Sequence, residues 1–161
     1  MRFASQSPAE TRRIAAALGS AFDAQGAVVS LMGALGAGKT LFVKGLAGGL
    51  GLDERAVASP TFVIAGEYPC ARSGGPQRLV HADFYRVGSE PELEAAGLLD
   101  WLEPGTLLIA EWGERFSSAL PADRLEISIA SGEVPESRIL EAAALGARSQ
   151  ALLERWSKRW P

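Results

Sequence analysis

Gly33-Ala34-Leu35-Gly36-Ala37-Gly38-Lys39-Thr40 has the pattern G-x-x-x-x-G-K-T, and it stands between two stretches of different periodicity. Upstream, Ala27-Val28-Val29-Ser30-Leu31-Met32 is a short apolar, β-branched run that reads as a buried strand; downstream, Leu41 to Leu50 reads as a helix. Strand, glycine loop and helix in that order form a cradle for phosphates. Glycines let the backbone curl without Cβ clashes, successive N–H groups turn inward, and the helix aims its positive end at the same point. In such a loop Lys39 reaches the outer phosphates and the Thr40 hydroxyl ligates Mg²⁺. The plain alternative is a glycine-rich turn between a strand and a helix, but the pattern arises by accident in roughly one chain of this length in a hundred or fewer.

Working outward, an opening helix is expected from roughly Pro8 to Leu18, and strands at Thr61-Phe62-Val63-Ile64-Ala65-Gly66-Glu67 and from Arg78 to Asp83. The Pro-, Ser- and Gly-rich loop from Pro69 to Pro76 lies between these two strands and suggests an antiparallel excursion. Glu92 to Leu102 reads as helix, and Thr106-Leu107-Leu108-Ile109-Ala110 as a wholly apolar strand ending at Glu111. Arg124 to Ile129 alternates strictly, as does part of Ser137 to Leu145, so both are expected to be half-buried strands. These pieces predict an α/β fold: a mixed sheet of the kind found in phosphate-loop NTPases, with central parallel strands extended by antiparallel ones and few helices.

Composition narrows the function. The 161 residues are expected to form one domain, and a hydrophobic content of 47% supplies a core. A net charge of −3 argues against a protein that lives on bare phosphate backbones, so no DNA partner is expected and any link to RNA is indirect. Cys70 is the only cysteine and forms no internal disulfide. It reads as an unreactive loop thiol, having no obvious activating partner. No stretch approaches the ~18 apolar residues of a membrane span, and none has a signal-peptide layout. The profile is cytosolic. The chain contains no asparagine, so it lacks the Asn-Lys-x-Asp element that reads guanine, and ATP is the expected nucleotide. No protein-kinase catalytic loop is present.

Hydrolysis needs groups for the metal and the water. Glu111 closes a buried strand, where a nucleotide-binding sheet presents a carboxylate to Mg²⁺, directly or through water. Asp83, in His81-Ala82-Asp83-Phe84-Tyr85-Arg86, ends another apolar run and could hold metal or orient water; a turn residue is the competing reading. Ser59-Pro60-Thr61 sits where small GTPase-like proteins keep a loop that senses the γ-phosphate, although a Pro-fixed turn accounts for it as well. His81, the only histidine, is expected to be structural. Arg86 reads as a salt-bridged surface arginine rather than an internal arginine finger. Leu152, Trp156 and Trp160 recur at helical spacing and are expected to form a buried stripe, with Arg148, Arg155, Lys158 and Arg159 solvated around it.

Gly33 to Thr40, Ser59-Pro60-Thr61-Phe62, His81 to Arg86 and Glu111-Trp112 resemble, in order and spacing, the bacterial TsaE (YjeE) family. The resemblance extends to Pro91-Glu92-Leu93-Glu94 with Gly97 and to the Leu120-Pro121 turn. It implies an Mg²⁺-dependent ATPase, and weak activity alone is expected because no arginine finger is assured, a group that can be worth ~10³–10⁵ in rate. Such a protein is required for threonylcarbamoylation of the adenosine beside the anticodon and acts with the TsaD–TsaB pair, which links it to tRNA. It also implies roles residue by residue. Lys39, Asp83 and Thr61 would be catalytic, and Thr40 and Glu111 would hold the metal. The nucleotide would be contacted by Gly33, Gly36, Ala37, Gly38, Lys39, Thr40, Leu41, Ser59 and Trp112, with Thr11 on its base side. Two positions depart from the family's usual loop: Ala34 replaces Asp and Leu41 replaces a second Thr. Leu41 keeps its backbone N–H but loses a hydroxyl contact worth ~1 kcal/mol. Two other functions use the same loop: a small-molecule kinase, and an ATP-sensing interaction module that switches partners without hydrolysis.

Overall fold

The computed structural model describes residues 1–60 and 62–160. Its strands are β1 (Arg2–Ser5), β2 (Ala27–Met32), β3 (Ala65–Pro69), β4 (Arg78–Asp83), β5 (Thr106–Glu111), β6 (Leu125–Ser131) and β7 (Arg138–Ala144). The helices are α1 (Pro8–Gly19), α2 (Lys39–Gly49), α3 (Glu90–Ala96), α4 (Leu98–Trp101) and α5 (Ala147–Arg159), with a 3₁₀ turn at Gly113–Phe116. The strands form one sheet in the order β1-β7-β6-β2-β5-β4-β3. Pairs β6·β2, β2·β5 and β5·β4 are parallel, and the outer pairs β1·β7, β7·β6 and β4·β3 are antiparallel. This is the mixed α/β sheet expected from the sequence.

β5 explains why a continuous apolar run belongs at the centre. All six of its residues are buried, and successive side chains alternate between two cores. Leu107 and Ile109 join Val29, Leu31, Phe42, Leu46, Ile14 and Trp156 on the face covered by α1, α2 and α5. Leu108 and Ala110 join Val80, Ala82, Leu93, Leu98, Trp101 and Phe116 on the other. The aromatic stripe of α5 belongs to the first core: Leu152 and Trp156 are buried, and the Trp156 ring stacks on Phe3 at 4.3 Å. The Trp156 Nε1–H donates to the Ile14 carbonyl at 2.9 Å, and Trp160 packs at the margin.

Three local expectations need correction. The strand expected at 61–67 begins only at Ala65 and runs on to Pro69. Ala65 pairs with Ala82 and the Ile64 carbonyl takes the Asp83 N–H, beyond which β4 ends and offers no further partner, leaving Phe62 and Val63 exposed. The helix expected over 92–102 is two helices, because Gly97 adopts φ +117°, closing α3 and opening α4. β1 has no counterpart among the expected strands: with one large apolar side chain, Phe3, it forms only because β7 offers an edge.

Candidate functional site

The parallel strands β2, β5 and β4 bring their C-terminal ends to one edge of the sheet, where α/β proteins bind ligands. The glycine loop leaves β2 there, Asp83 ends β4 and Glu111 ends β5, the two acids being register neighbours. Gly33 has φ +145°, and a Cβ on it would lie 2.5 Å from the Ile129 carbonyl, so only glycine lets the loop depart beside β6. Gly38 precedes α2 at φ +102° and directs the chain straight into the helix at Lys39. The helix therefore starts two residues before Leu41, and Thr40 lies in its first turn.

Lys39 is almost fully buried, and its ammonium donates to the carbonyls of Gly33 at 2.7 Å and Ala34 at 2.9 Å. It also lies 4.3 Å from the centre of the Trp112 ring, a cation–π contact. Burial pushes the Lys39 ammonium below the usual lysine value, and the carboxylates of Glu111, Asp83 and Glu114 pull it partly back. Trp112 is the only residue other than glycine with positive φ among the described residues, at +59°. Its ring packs 5.0 Å from Tyr85, so it walls the lysine.

The Thr40 hydroxyl donates to Oε1 of Glu111 at 3.1 Å, and His81 Nε2 lies 2.7 Å from the same oxygen. Glu111 and His81 are both buried. Asp83 is half-buried, with Oδ1 accepting the Tyr85 N–H at 2.9 Å. Arg115 donates to the carbonyls of Phe84 and Tyr85, tying the turn after Asp83 to the 3₁₀ turn after Trp112.

The site residues expected from the sequence thus fall into three groups by position. Lys39, Thr40, Glu111 and Trp112 are brought together with the loop residues Gly33, Gly36, Ala37, Gly38 and Leu41, and Asp83 neighbours them across the β4·β5 register. Thr11 is elsewhere: it is buried in the first turn of α1, its hydroxyl 2.7 Å from Ser5 Oγ and 3.2 Å from the Ser7 carbonyl. Ser5 lines a cleft of about 430 Å³ with Gln6, Gly132, Val134 and Ser137, so Thr11 supports that wall without lining it. Ser59 is exposed in the loop between α2 and β3, Arg86 is exposed after Asp83, and Thr61 lies outside the described residues. Cys70 is half-buried, with burial raising its thiol above the ordinary value, in keeping with an unreactive group. A larger cleft, about 460 Å³, opens at the opposite edge, between the starts of β2 and β5 and helix α5, and none of the glycine-loop residues or strand-end acids lines it.

One contributor has no signal in the motifs. Arg138, on β7, donates from Nε to the Ala37 carbonyl at 2.9 Å and from Nη1 to the carbonyls of Pro135 and Ser137. Nothing in its spacing marks it, because the contact depends on β7 folding back beside β6.

Together these features define a class: an α/β protein of one mixed sheet with a G-x-x-x-x-G-K-T loop joining a central parallel strand to a helix, and strand-end carboxylates beside it. Comparison with known proteins gives the family. The model of the family described as "Threonylcarbamoyl adenosine biosynthesis protein TsaE" matches residues 5–139, and the chain belongs to that family. It is 39% identical over 158 residues to the tRNA threonylcarbamoyladenosine biosynthesis protein TsaE of Bacillus subtilis, covering 98% of this chain and 94% of the relative. It is 40% identical over 129 residues to the Treponema pallidum protein of the same name, covering 80% and 90%. Among solved structures it is similar to that described as the crystal structure of Bacillus subtilis YdiB, with a TM-score of 0.76, 33% identity and coverage of 98% and 94%. A place in tRNA threonylcarbamoyladenosine biosynthesis follows from the family. No helix among the described residues is long and apolar enough to cross a membrane.

Proposed function

We infer that the chain is an Mg²⁺-dependent ATPase, weak alone, that serves threonylcarbamoylation of the adenosine next to the tRNA anticodon together with the TsaD–TsaB pair, in the cytoplasm. Contact with tRNA runs through that pair. The observation that carries the inference is the Thr40–Glu111 hydrogen bond at the foot of the glycine loop, 3.1 Å long, with Lys39 buried beside it.

The donor set suits Mg²⁺. Both groups offer hard oxygen, and the hydrogen bond between them sets a hydroxyl beside a carboxylate at the foot of the loop. Two protein oxygens are few for Mg²⁺, which ordinarily completes its shell with water and substrate phosphates, so the residues present fit an ion that arrives with a nucleotide. When bound, the ion neutralises charge on the phosphates.

The remaining work falls to the chain. Backbone N–H groups of the loop and the start of α2 would take the phosphates, with Lys39 on the outermost charge. Its bonds to the Gly33 and Ala34 carbonyls hold the ammonium against the loop. Asp83, with Oδ1 held by Tyr85, would use Oδ2 to orient the attacking water. Trp112 limits solvent on the lysine side. Slow turnover is expected without a partner, since an arginine finger can be worth ~10³–10⁵ in rate.

The test is phosphate release measured with and without the TsaD–TsaB pair, repeated with Lys39→Ala. Release that depends on both supports the reading. If calorimetry detects no adenine nucleotide uptake by folded protein, with or without the pair, the reading fails.

A further inference from the structure

We propose that His81 is a positioning residue: its imidazole holds one oxygen of the Glu111 carboxylate and so leaves the other oxygen presented to a nucleotide-bound divalent cation. The inference rests on the nucleotide-and-magnesium reading above and names the group that makes the carboxylate ready for it.

The geometry begins with register. His81 pairs with Ile109 across the parallel β4·β5 ladder, so Glu111 is two residues further along β5, on the same face of the sheet. That offset brings Nε2 to 2.7 Å from Oε1, a distance typical of a charge-assisted hydrogen bond. The His81 side chain is fully buried and that of Glu111 nearly so, with 0% and 5% of their surfaces exposed. A carboxylate here needs a donor, since a buried charge without one is costly.

The same contact fixes the tautomer. A carboxylate oxygen only accepts, so the hydrogen is on Nε2. Nδ1 is buried and has no partner among the described residues. Were the proton on Nδ1 instead, a buried donor would be orphaned and the Nε2 lone pair would face a carboxylate lone pair. Oε1 thus takes two donors, from His81 and from Thr40. No hydrogen bond among the described residues reaches Oε2.

A histidine satisfied in a core would need only to fill space. Orientation of a metal-facing carboxylate by a buried donor makes a different demand, and loss of such a partner typically costs 10–100-fold in metal affinity. Glutamine can place an N–H near the Nε2 position; leucine fills the volume without a donor.

The experiment has two parts. His81 is the only histidine in the chain, so in tag-free protein its two ring nitrogens give the only imidazole ¹⁵N signals. The expected spectrum shows Nε2 protonated; a bare Nε2 overturns the proposal, and this part stands even if a variant fails to fold. Next, Mn²⁺ affinity is read by EPR with protein in excess over ADP, for wild type, H81L and H81Q. The expected result is a loss of about 10-fold or more in H81L, recovery to within about 3-fold in H81Q, and unchanged ADP affinity without metal. H81L with wild-type Mn²⁺ affinity overturns the proposal, as does H81Q falling as far as H81L. Wild type that takes up no Mn²⁺ with ADP overturns the magnesium reading itself, and this inference with it.

Discussion

Arg138 Nε donates to the Ala37 carbonyl at 2.9 Å, joining β7 to the glycine loop. The chain has no cis peptide among its described residues, so within the planar Ala37–Gly38 unit the C=O and N–H point in opposite directions. Holding the carbonyl toward β7 therefore aims the Gly38 N–H away from it, where under the proposed function it would be a donor for phosphate. Arg138→Met should weaken ATP binding about tenfold, the loss of one hydrogen bond from a charged group. AMP, with a single phosphate, should lose less. Calorimetry on both nucleotides checks this, and an ATP-to-AMP affinity ratio that does not move would refute the role.

Lys39 predicts a proton-linked affinity. In the free protein, burial keeps its ammonium below the ordinary 10.5, despite Glu111, Asp83 and Glu114. The unfolded chain thus holds this proton more tightly than the free fold, and stability from this group rises with pH between the lowered value and 10.5. Phosphates favour the charged form, so ATP binding should draw in protons in that alkaline window and weaken as pH rises through it. Calorimetry at a series of alkaline pH values below 10.5, in buffers of different ionisation enthalpy, should reveal the uptake. Lys39→Arg, which stays charged, should abolish it.

The crossing of α1 and α2 separates two neighbouring glycines. A Cβ on Gly49 would lie 2.0 Å from the Ala16 carbonyl oxygen, a backbone atom that cannot step aside, whereas one on Gly48 meets only the end of the Glu54 side chain, at 2.5 Å. Gly49→Ala should therefore destabilise by about 1–3 kcal/mol despite the better helix former, seen as a fall of several degrees in melting temperature. Gly48→Ala should be neutral or stabilising by up to about 1 kcal/mol. Equal melting temperatures for the two variants would contradict this account of the packing.

What is legible in the sequence is local. β2, β4 and the end of β5 carry their apolar patterns within six residues each, and the glycine loop announces itself because phosphate chemistry demands fixed spacing. Features that depend on distant pairing leave little trace. β1 has a single large apolar side chain and exists by pairing with 138–141. His81 reads as structural by itself, and its contact with Glu111 appears only once β4 and β5 are neighbours in a defined register. Arg138 reaches the loop from 101 positions away. Thr11 is marked by family resemblance alone, and its hydroxyl is spent on Ser5 and Ser7.

The last helix offers a pH-dependent case of the same non-local logic. Its N-cap, Gly146, has no side chain, and the acceptor comes instead from Asp123, whose Oδ2 takes the Arg148 N–H at 2.9 Å and whose Oδ1 takes the Ser149 N–H at 3.0 Å. Gly146 has extended backbone, so its requirement is space: a Cβ there would lie 2.3 Å from the Asp123 Cγ. Desolvation raises the Asp123 carboxyl, but the Ser149 and Arg148 N–H groups, the Ser149 hydroxyl and the Arg148 charge outweigh it, leaving it below the ordinary 3.8. A carboxyl lowered on folding stabilises the fold above its unfolded value and loses that contribution as pH falls through the folded one. Asp123→Ala should therefore cost about 1 kcal/mol in urea unfolding at pH 7, the usual worth of a cap. The gap to wild type should begin to close below about pH 4 and keep closing as acid protonates the carboxyl in the folded protein. Gly146→Ala should reproduce much of the loss at pH 7 by displacing the same carboxylate, and a wild-type stability for that variant would show that the cap does not need the room.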